Sequence, residues 1–200
     1  MNFPKLILKK ILTKHIKSIR NLNIKNPKLI IAFSGIPGSG KTYISERIEN
    51  HYKAIRINTD KIRNIIKILF NNTYSKEQIN IITDKYMIFL FNKLNKNINK
   101  TIILDCSIDR RYAQIKKFAL FNKYNIFIIC MEITKRLAIK RIKIRNYPNS
   151  KPYLEKLNKW IEDQKRFLHR NKVDIIINFS QPIYWNKIFS KIDIILKNSI

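Results

Sequence analysis

Gly35-Ile36-Pro37-Gly38-Ser39-Gly40-Lys41-Thr42 is the stretch on which the reading of this chain turns. It fits the spacing G-x-x-x-x-G-K-[ST], in which backbone N–H groups curl around a phosphate while a lysine and a hydroxyl reach it. All 3 glycines of the 200-residue chain lie within it. Glycine serves where backbone must take positive φ or approach a ligand closely, and here that need falls in one place.

The flanks agree. Residues 29–33 (Leu-Ile-Ile-Ala-Phe) form a continuous apolar run, the mark of a strand buried on both faces. Residues 42–51 read as a helix, with Ile44 and Ile48 four apart and Glu46 and Glu49 in its early turns. Strand, loop and helix in that order make a phosphate site at a helix N-terminus. Gly35, Pro37, Gly38, Ser39, Gly40, Lys41 and Thr42 are the expected contacts of a bound ATP. Lys41 would reach the β- and γ-phosphates, and the Thr42 hydroxyl would bind Mg²⁺.

The same alternation continues to the C-terminus. Apolar runs at 54–58, 101–104, 125–130 and 173–178 read as four more strands. Helices are expected at 60–70 with Thr59 as cap, 75–97 opened by a Ser75/Gln78 capping box, 110–123, 134–146 capped by Thr134, 153–170 and 184–197. Five short strands alternating with helices predict an α/β fold, a parallel sheet covered on both faces. Ligands of such sheets bind outside the carboxyl ends of the strands.

Two hundred residues suit one domain. We read residues 28–200 as that domain and 1–27 as a basic helical extension. Residues 1–28 hold no acid, and Leu6, Ile7, Ile11, Ile16 and Ile19 alternate with lysines as in a basic amphipathic helix. Packing on the domain is the expected use of this helix; an anionic membrane surface is the other. No apolar run is long enough for a membrane span. Cys106 and Cys130 each close an apolar run, carry no zinc spacing, and suit a reducing compartment, so a cytoplasmic protein is expected.

The formal net charge of +28 has two readings. One is a polyanionic partner such as nucleic acid. The other is compositional, because Lys, Asn and Ile abound together while lysines are scattered and no aromatic platform is evident beside them. Acids are scarce, 13 against 41 basic residues, yet two stand where strands end: Asp60 after the second and Asp105 at the end of the third. Asp105 occupies the place of an acid that holds Mg²⁺ or contacts the substrate. Asp60 and Arg63 lie three apart at a helix start; a carboxylate there could take a proton from an acceptor hydroxyl and an arginine could bind an anionic group. An ordinary helix-start acid with a solvated arginine is the alternative. Arg141 and Arg145, four apart before the stretch Tyr147-Pro148-Asn149-Ser150-Lys151-Pro152, could close over a transferring phosphoryl group as part of a lid around 134–153. Glu132, Trp160 and His169 read as structural.

Taken together, the glycine loop, Asn58-Thr59-Asp60-Lys61-Ile62-Arg63, Ile103-Leu104-Asp105-Cys106-Ser107, and Arg141 with Arg145 resemble the small P-loop kinases grouped with polynucleotide 5′-kinases and zeta toxins. The similarity covers about residues 28–179. It implies a P-loop NTPase sheet in the order 2-3-1-4-5, with ATP and Mg²⁺ as cofactors and ATP-dependent transfer to a hydroxyl. It also implies Asp60 as base, Arg63 as acceptor anchor, Asp105 near the acceptor, and Arg141 or Arg145 in the lid. The sequence departs from that group after the third-strand acid, where many members carry Asn and this chain reads Cys106-Ser107-Ile108-Asp109. The expected activity is kinase transfer to a hydroxyl of a small molecule or nucleotide. A nucleic-acid-binding ATPase or a polynucleotide 5′-hydroxyl kinase is the alternative, and oligomeric state is left open.

Overall fold

The computed structural model describes residues 5–17, 27–95, 100–144, 150–179 and 181–198. In chain order the elements are α1 (Lys5–Ile16), β1 (Leu29–Ser34), α2 (Lys41–Tyr52), β2 (Ile55–Asn58), α3 (Thr59–Leu69), α4 (Lys76–Asn95) and β3 (Ile102–Ser107). There follow α5 (Tyr112–Asn122), β4 (Asn125–Glu132), α6 (Lys135–Ile144), α7 (Lys151–Glu155), α8 (Leu157–Arg170), β5 (Ile175–Asn178) and α9 (Trp185–Lys197). All neighbouring strands pair in parallel, in the order β2-β3-β1-β4-β5. This is the P-loop NTPase sheet that the resemblance implies.

Alternation along β1 explains its unbroken apolar run. Ile30 and Ala32 face one core, with Ile57, Ile62, Ile82, Tyr86, Leu104 and Ile115. Leu29, Ile31 and Phe33 face a second core on the other side, with Ile44, Ile48, Ile188 and Ile192. A strand covered on both sides has no polar face to show. The first core lies under α1, α3, α4, α5 and part of α8; the second lies under α2 and α9. A third, smaller cluster joins the loop residue Ile36 to Ala138, Ile142 and Leu157, with Trp160 packed against it. The structural reading of Trp160 agrees with this position.

Several local expectations hold and others shift. Ser75 and Gln78 form the reciprocal capping box: the Gln78 N–H donates to Ser75 Oγ at 3.3 Å and the Ser75 N–H to Gln78 Oε1 at 2.8 Å. Thr134 accepts from the Leu137 N–H at 3.3 Å. Thr59 does not cap α3. Asn58 does, its Oδ1 accepting from the N–H groups of Asp60 (2.9 Å) and Lys61 (3.0 Å), because Thr59 already lies inside the helix. The single helix expected over 153–170 is two, α7 and α8, separated at Lys156. β3 runs on to Ser107, so Asp105 lies within the strand and does not end it.

The N-terminal helix packs on the domain. Ile11 is fully buried in the first core, and His15 is 1% exposed, its Nδ1 hydrogen-bonded to Tyr86 Oη of α4 at 2.9 Å. Among the described residues no helix is long and apolar enough to cross a membrane. Burial, with Lys61 adding to it, depresses the His15 imidazole from its ordinary value to about 4. The imidazole is therefore neutral in the folded chain near neutral pH. The unfolded chain binds the extra proton first, so stability falls as pH drops from about 6.5 towards 4. A depression of this size corresponds to about 3 kcal/mol at full protonation. In urea melts at pH 7 and pH 4.5, the wild type should lose more stability on acidification than His15→Gln does. Equal losses would show that α1 does not bury His15 in solution.

Candidate active site

Where β1 hands over to α2, the loop is packed too tightly for side chains. Gly40 has φ 92°, and a Cβ there would lie 2.7 Å from Phe179 Cε2; Gly38 has φ 81°. Phe179 follows β5 directly, and Arg141 of α6 stacks its guanidinium over that ring at 4.8 Å while donating to the Gly38 carbonyl at 3.1 Å. Arg141 is thus drawn onto the loop. Arg145 and positions 146–149 of the expected lid lie outside the described residues.

Lys41 curls back over the loop. Its ammonium donates to the carbonyls of Gly35 and Ile36, each at 2.8 Å, and to Ser39 Oγ at 3.3 Å. Burial pulls its pKa down from the ordinary value to about 8, against the opposing pull of Asp109, then Asp105, Cys106 and Asp60. All three ammonium donors rest on neutral oxygens, which a phosphate would replace with charged ones.

Thr42 opens α2 and donates its hydroxyl to Asp105 Oδ1 at 3.2 Å. A break in strand register makes that contact. β1 and β3 pair Ala32 with Leu104 but Phe33 with Ser107, so Asp105 and Cys106 have no β1 partner. Asp105 keeps its β2 partner, Asn58. Its other oxygen, Oδ2, accepts from Asn58 Nδ2 (2.6 Å) and Arg56 Nη1 (2.9 Å). A hydroxyl and a carboxylate side by side are the hard oxygen donors that Mg²⁺ takes.

Sequence reasoning passed over the residue that holds this arrangement. Arg56 of β2 is 9% exposed at its side chain and meets three acids: Asp105 at 2.9 Å, Glu49 at 2.8 Å and Glu46 at 3.2 Å. Burial alone would lower its pKa; Glu49, Asp105 and Glu46 outweigh that and hold it above the ordinary value. An arginine inside an apolar strand of a lysine-rich chain was the available signal, as was Asn58, a cap-type residue just before a helix.

The remaining expected residues lie on the β2 side. The Asp60 side chain is 84% exposed and paired with Arg63 Nη1 at 2.6 Å. Arg63 also donates to Asn80 Oδ1 (3.1 Å) and Thr59 Oγ1 (3.3 Å), which fixes its direction. Arg63 lies close enough to the Cys106 thiol to act on it electrostatically, as do Arg111, Asp105 and Lys41. Across α2, Arg47 lies over both Tyr43 (5.9 Å) and Trp185 (5.2 Å), a basic–aromatic stack that distance along the chain conceals.

With this geometry in view, comparison with known proteins is direct. A family described as an AAA domain matches residues 30–168. This chain belongs to that family. The match spans the glycine loop, Arg56, Asn58, Asp60, Arg63, Asp105 and Arg141 of the AAA domain. Among solved structures, one from the PezAT chromosomal toxin–antitoxin system of Streptococcus pneumoniae is 15% identical, with TM-score 0.68, covering 90% of this chain and 80% of that one. A gluconokinase from Sinorhizobium meliloti 1021 is 17% identical, with TM-score 0.55 and coverages of 88% and 97%. A shikimate kinase from Acinetobacter baumannii is 14% identical, with TM-score 0.55 and coverages of 86% and 95%. At these identities the likeness is one of fold. No curated protein matches the sequence.

Arg56 gives the AAA domain's site a stability test. Truncating it strands Glu49 and Asp105, whose side chains are 7% and 3% exposed, without their cation. Breaking a buried pair in this way costs about 3–5 kcal/mol. Arg56→Ala should therefore lower the urea midpoint strongly, and Arg56→Lys should recover only part, since one ammonium does not span three carboxylates. A midpoint within experimental error of wild type in Arg56→Ala would contradict the buried network.

Proposed function

We propose that this protein is an ATP-dependent kinase that transfers the γ-phosphoryl group to a hydroxyl of a small molecule. The observation that carries the reading is the contact between Thr42 Oγ1 and Asp105 Oδ1 beneath the glycine loop, with Lys41 held over the same loop. The fold it shares with a gluconokinase and a shikimate kinase supports it.

In this reading the loop amides and Lys41 take the β- and γ-phosphates, and Arg141, already at the Gly38 carbonyl, meets charge developing on the transferred group. Thr42 and Asp105 would hold Mg²⁺, which when bound neutralises phosphate charge. Arg63, oriented by Asn80 and Thr59, anchors the acceptor. Asp60 accepts the proton of the acceptor hydroxyl as its oxygen bonds to the γ-phosphorus. The bond from that phosphorus to the bridging oxygen breaks, and ADP leaves with the electron pair. An exposed Asp60 is consistent with a base that meets its substrate from solvent.

The stack of Arg47 on Tyr43 and Trp185 favours a second reading, transfer to a nucleic-acid end, since bases stack on such platforms. Labelling of a 5′-hydroxyl oligonucleotide at physiological salt, lost in Asp60→Asn, would select it.

Nucleotide binding is tested first. A ligand bound only to the folded chain raises its melting temperature. Mg·ATP should raise that of the wild type and leave Lys41→Ala unchanged; equal shifts in both would remove the nucleotide assignment. The wild-type shift should also shrink above about pH 8, as Lys41 loses its proton.

Asp60 is tested on transfer. Asp60→Asn should lower turnover on an acceptor that the wild type phosphorylates by roughly 10²- to 10⁴-fold, with Mg·ATP binding kept. Unchanged turnover would leave Asp60 a helix-start acid.

A further inference from the structure

Asp109 is an acid of the site to which the phosphate, metal and base roles give no work. After β3 the chain steps across to β1, the buried Ile108 donating its N–H to the Phe33 carbonyl at 2.8 Å. A turn closes at once, the Arg111 N–H donating to the Ile108 carbonyl at 2.8 Å. Asp109 rides on this turn, at the carboxyl end of the sheet, where open α/β folds receive ligands.

Its two oxygens differ. Oδ2 accepts from Ser107 Oγ at 2.7 Å. Oδ1 is buried and has no hydrogen-bond partner. Three nearby acids are engaged: Asp105 by Thr42, Asn58 and Arg56, Asp60 by Arg63, and Asp84 by Arg111. Asp109 forms no ion pair among the described residues, although of the groups favouring the Lys41 ammonium it acts most strongly, and it also acts on Cys130 of β4. The Ile108–Phe33 bond ties its turn to the end of β1, one residue short of Ser34 and the start of the glycine loop.

A buried acceptor left without a donor is costly, and a donor that arrives from outside would relieve it. A phosphate does not supply it, being acceptor-only and negative. An N–H or O–H carried by the second substrate would satisfy Oδ1.

Building on the kinase reading above, we infer that Asp109 reads the acceptor: its Oδ1 takes a hydrogen bond from a donor beside the hydroxyl to be phosphorylated. The acceptor is thus a polyol or an amino alcohol, and not a compound whose reacting hydroxyl is its sole donor in that region. A DNA 5′-hydroxyl end, whose terminal sugar carries no second hydroxyl, fits poorly.

The test uses the full chain with labelled ATP and four acceptor sets: polyols and sugar acids such as sorbitol and gluconate; amino alcohols and amino sugars such as ethanolamine and glucosamine; monohydric alcohols; and a 5′-hydroxyl oligonucleotide. Label should reach a member of the first two sets. Asp109→Asn should then raise KM about tenfold for a hydroxyl donor, because the amide oxygen still accepts, and about a hundredfold or more for an ammonium, because the charge is lost. Asp109→Leu should raise it at least as far in both cases, with the Mg·ATP shift in melting temperature kept. Without ligand, Asp109→Asn should melt within a few degrees of the wild type, since the amide oxygen still accepts from Ser107 and relief at the unpartnered Oδ1 offsets the weaker field at Lys41. Four results overturn the inference. These are an unchanged KM, transfer confined to monohydric alcohols or the oligonucleotide, and no transfer to any member although Mg·ATP binds. The fourth is a melting temperature several degrees lower in Asp109→Asn with the nucleotide shift lost, which would make Asp109 a structural counter-ion of Lys41. Absence of any Mg·ATP shift in the wild type would instead remove the kinase reading on which it rests.

Discussion

A buried guanidinium fixes the chemistry of this site to its sheet. Arg56 reaches from β2 to Glu46 and Glu49 on α2 and to Asp105 on β3. Charges taken this far out of water are tolerable only when each is met, and the planar fork of arginine meets several acids at once. Asn58, two residues on, completes the grip: its amide N–H₂ holds Asp105 while its carbonyl oxygen caps α3, where Asp60 and Arg63 begin. One short strand thereby sets the direction of the Thr42–Asp105 pair and the starting point of α3.

The loop is held from three further sides. Ile36 is buried in the small core of α6, α7 and α8, Arg141 bonds the Gly38 carbonyl, and Phe179 fills the space against Gly40. A loop packed this way is coupled to α6, so a ligand that alters one bears on the other. Glycine use follows the same logic. Left-handed backbone elsewhere is taken by Lys53 (φ 51°), Asn71, Asn72 and Lys123 (φ 57°), not by glycine. That substitution costs roughly 1–2 kcal/mol per residue. At Gly40 it is blocked outright, since the added Cβ meets a ring. The chain keeps glycine where space and dihedral angle are both demanded, and does without it where the angle alone is.

Charge tells a parallel story. With 41 basic residues against 13 acidic ones, a carboxylate in this chain stands out. Asp60, Asp84, Asp105 and Asp109 gather near one end of the sheet, three of them paired with arginine. Arginine rather than the commoner lysine takes each pairing, as its bidentate geometry favours.

The sequence by itself determined the class of fold and the glycine loop between β1 and α2. Alternation of apolar runs and helical stretches, and a glycine spacing with one backbone solution, are local properties that need no partner to be recognised. Asp105, Asp60, Arg63 and Arg141 stood out as candidates because they lie at fixed offsets from those runs, and no role for them follows from that alone. What only the tertiary structure decided are contacts made across strands and turns. The register break that turns Asp105 to Thr42, the three acids on Arg56, the double use of Asn58 and the unpartnered oxygen of Asp109 belong here. Arg56 reads locally as one more basic residue in a basic chain. Its importance arises from desolvation, and burial is a property of what the rest of the chain packs around it.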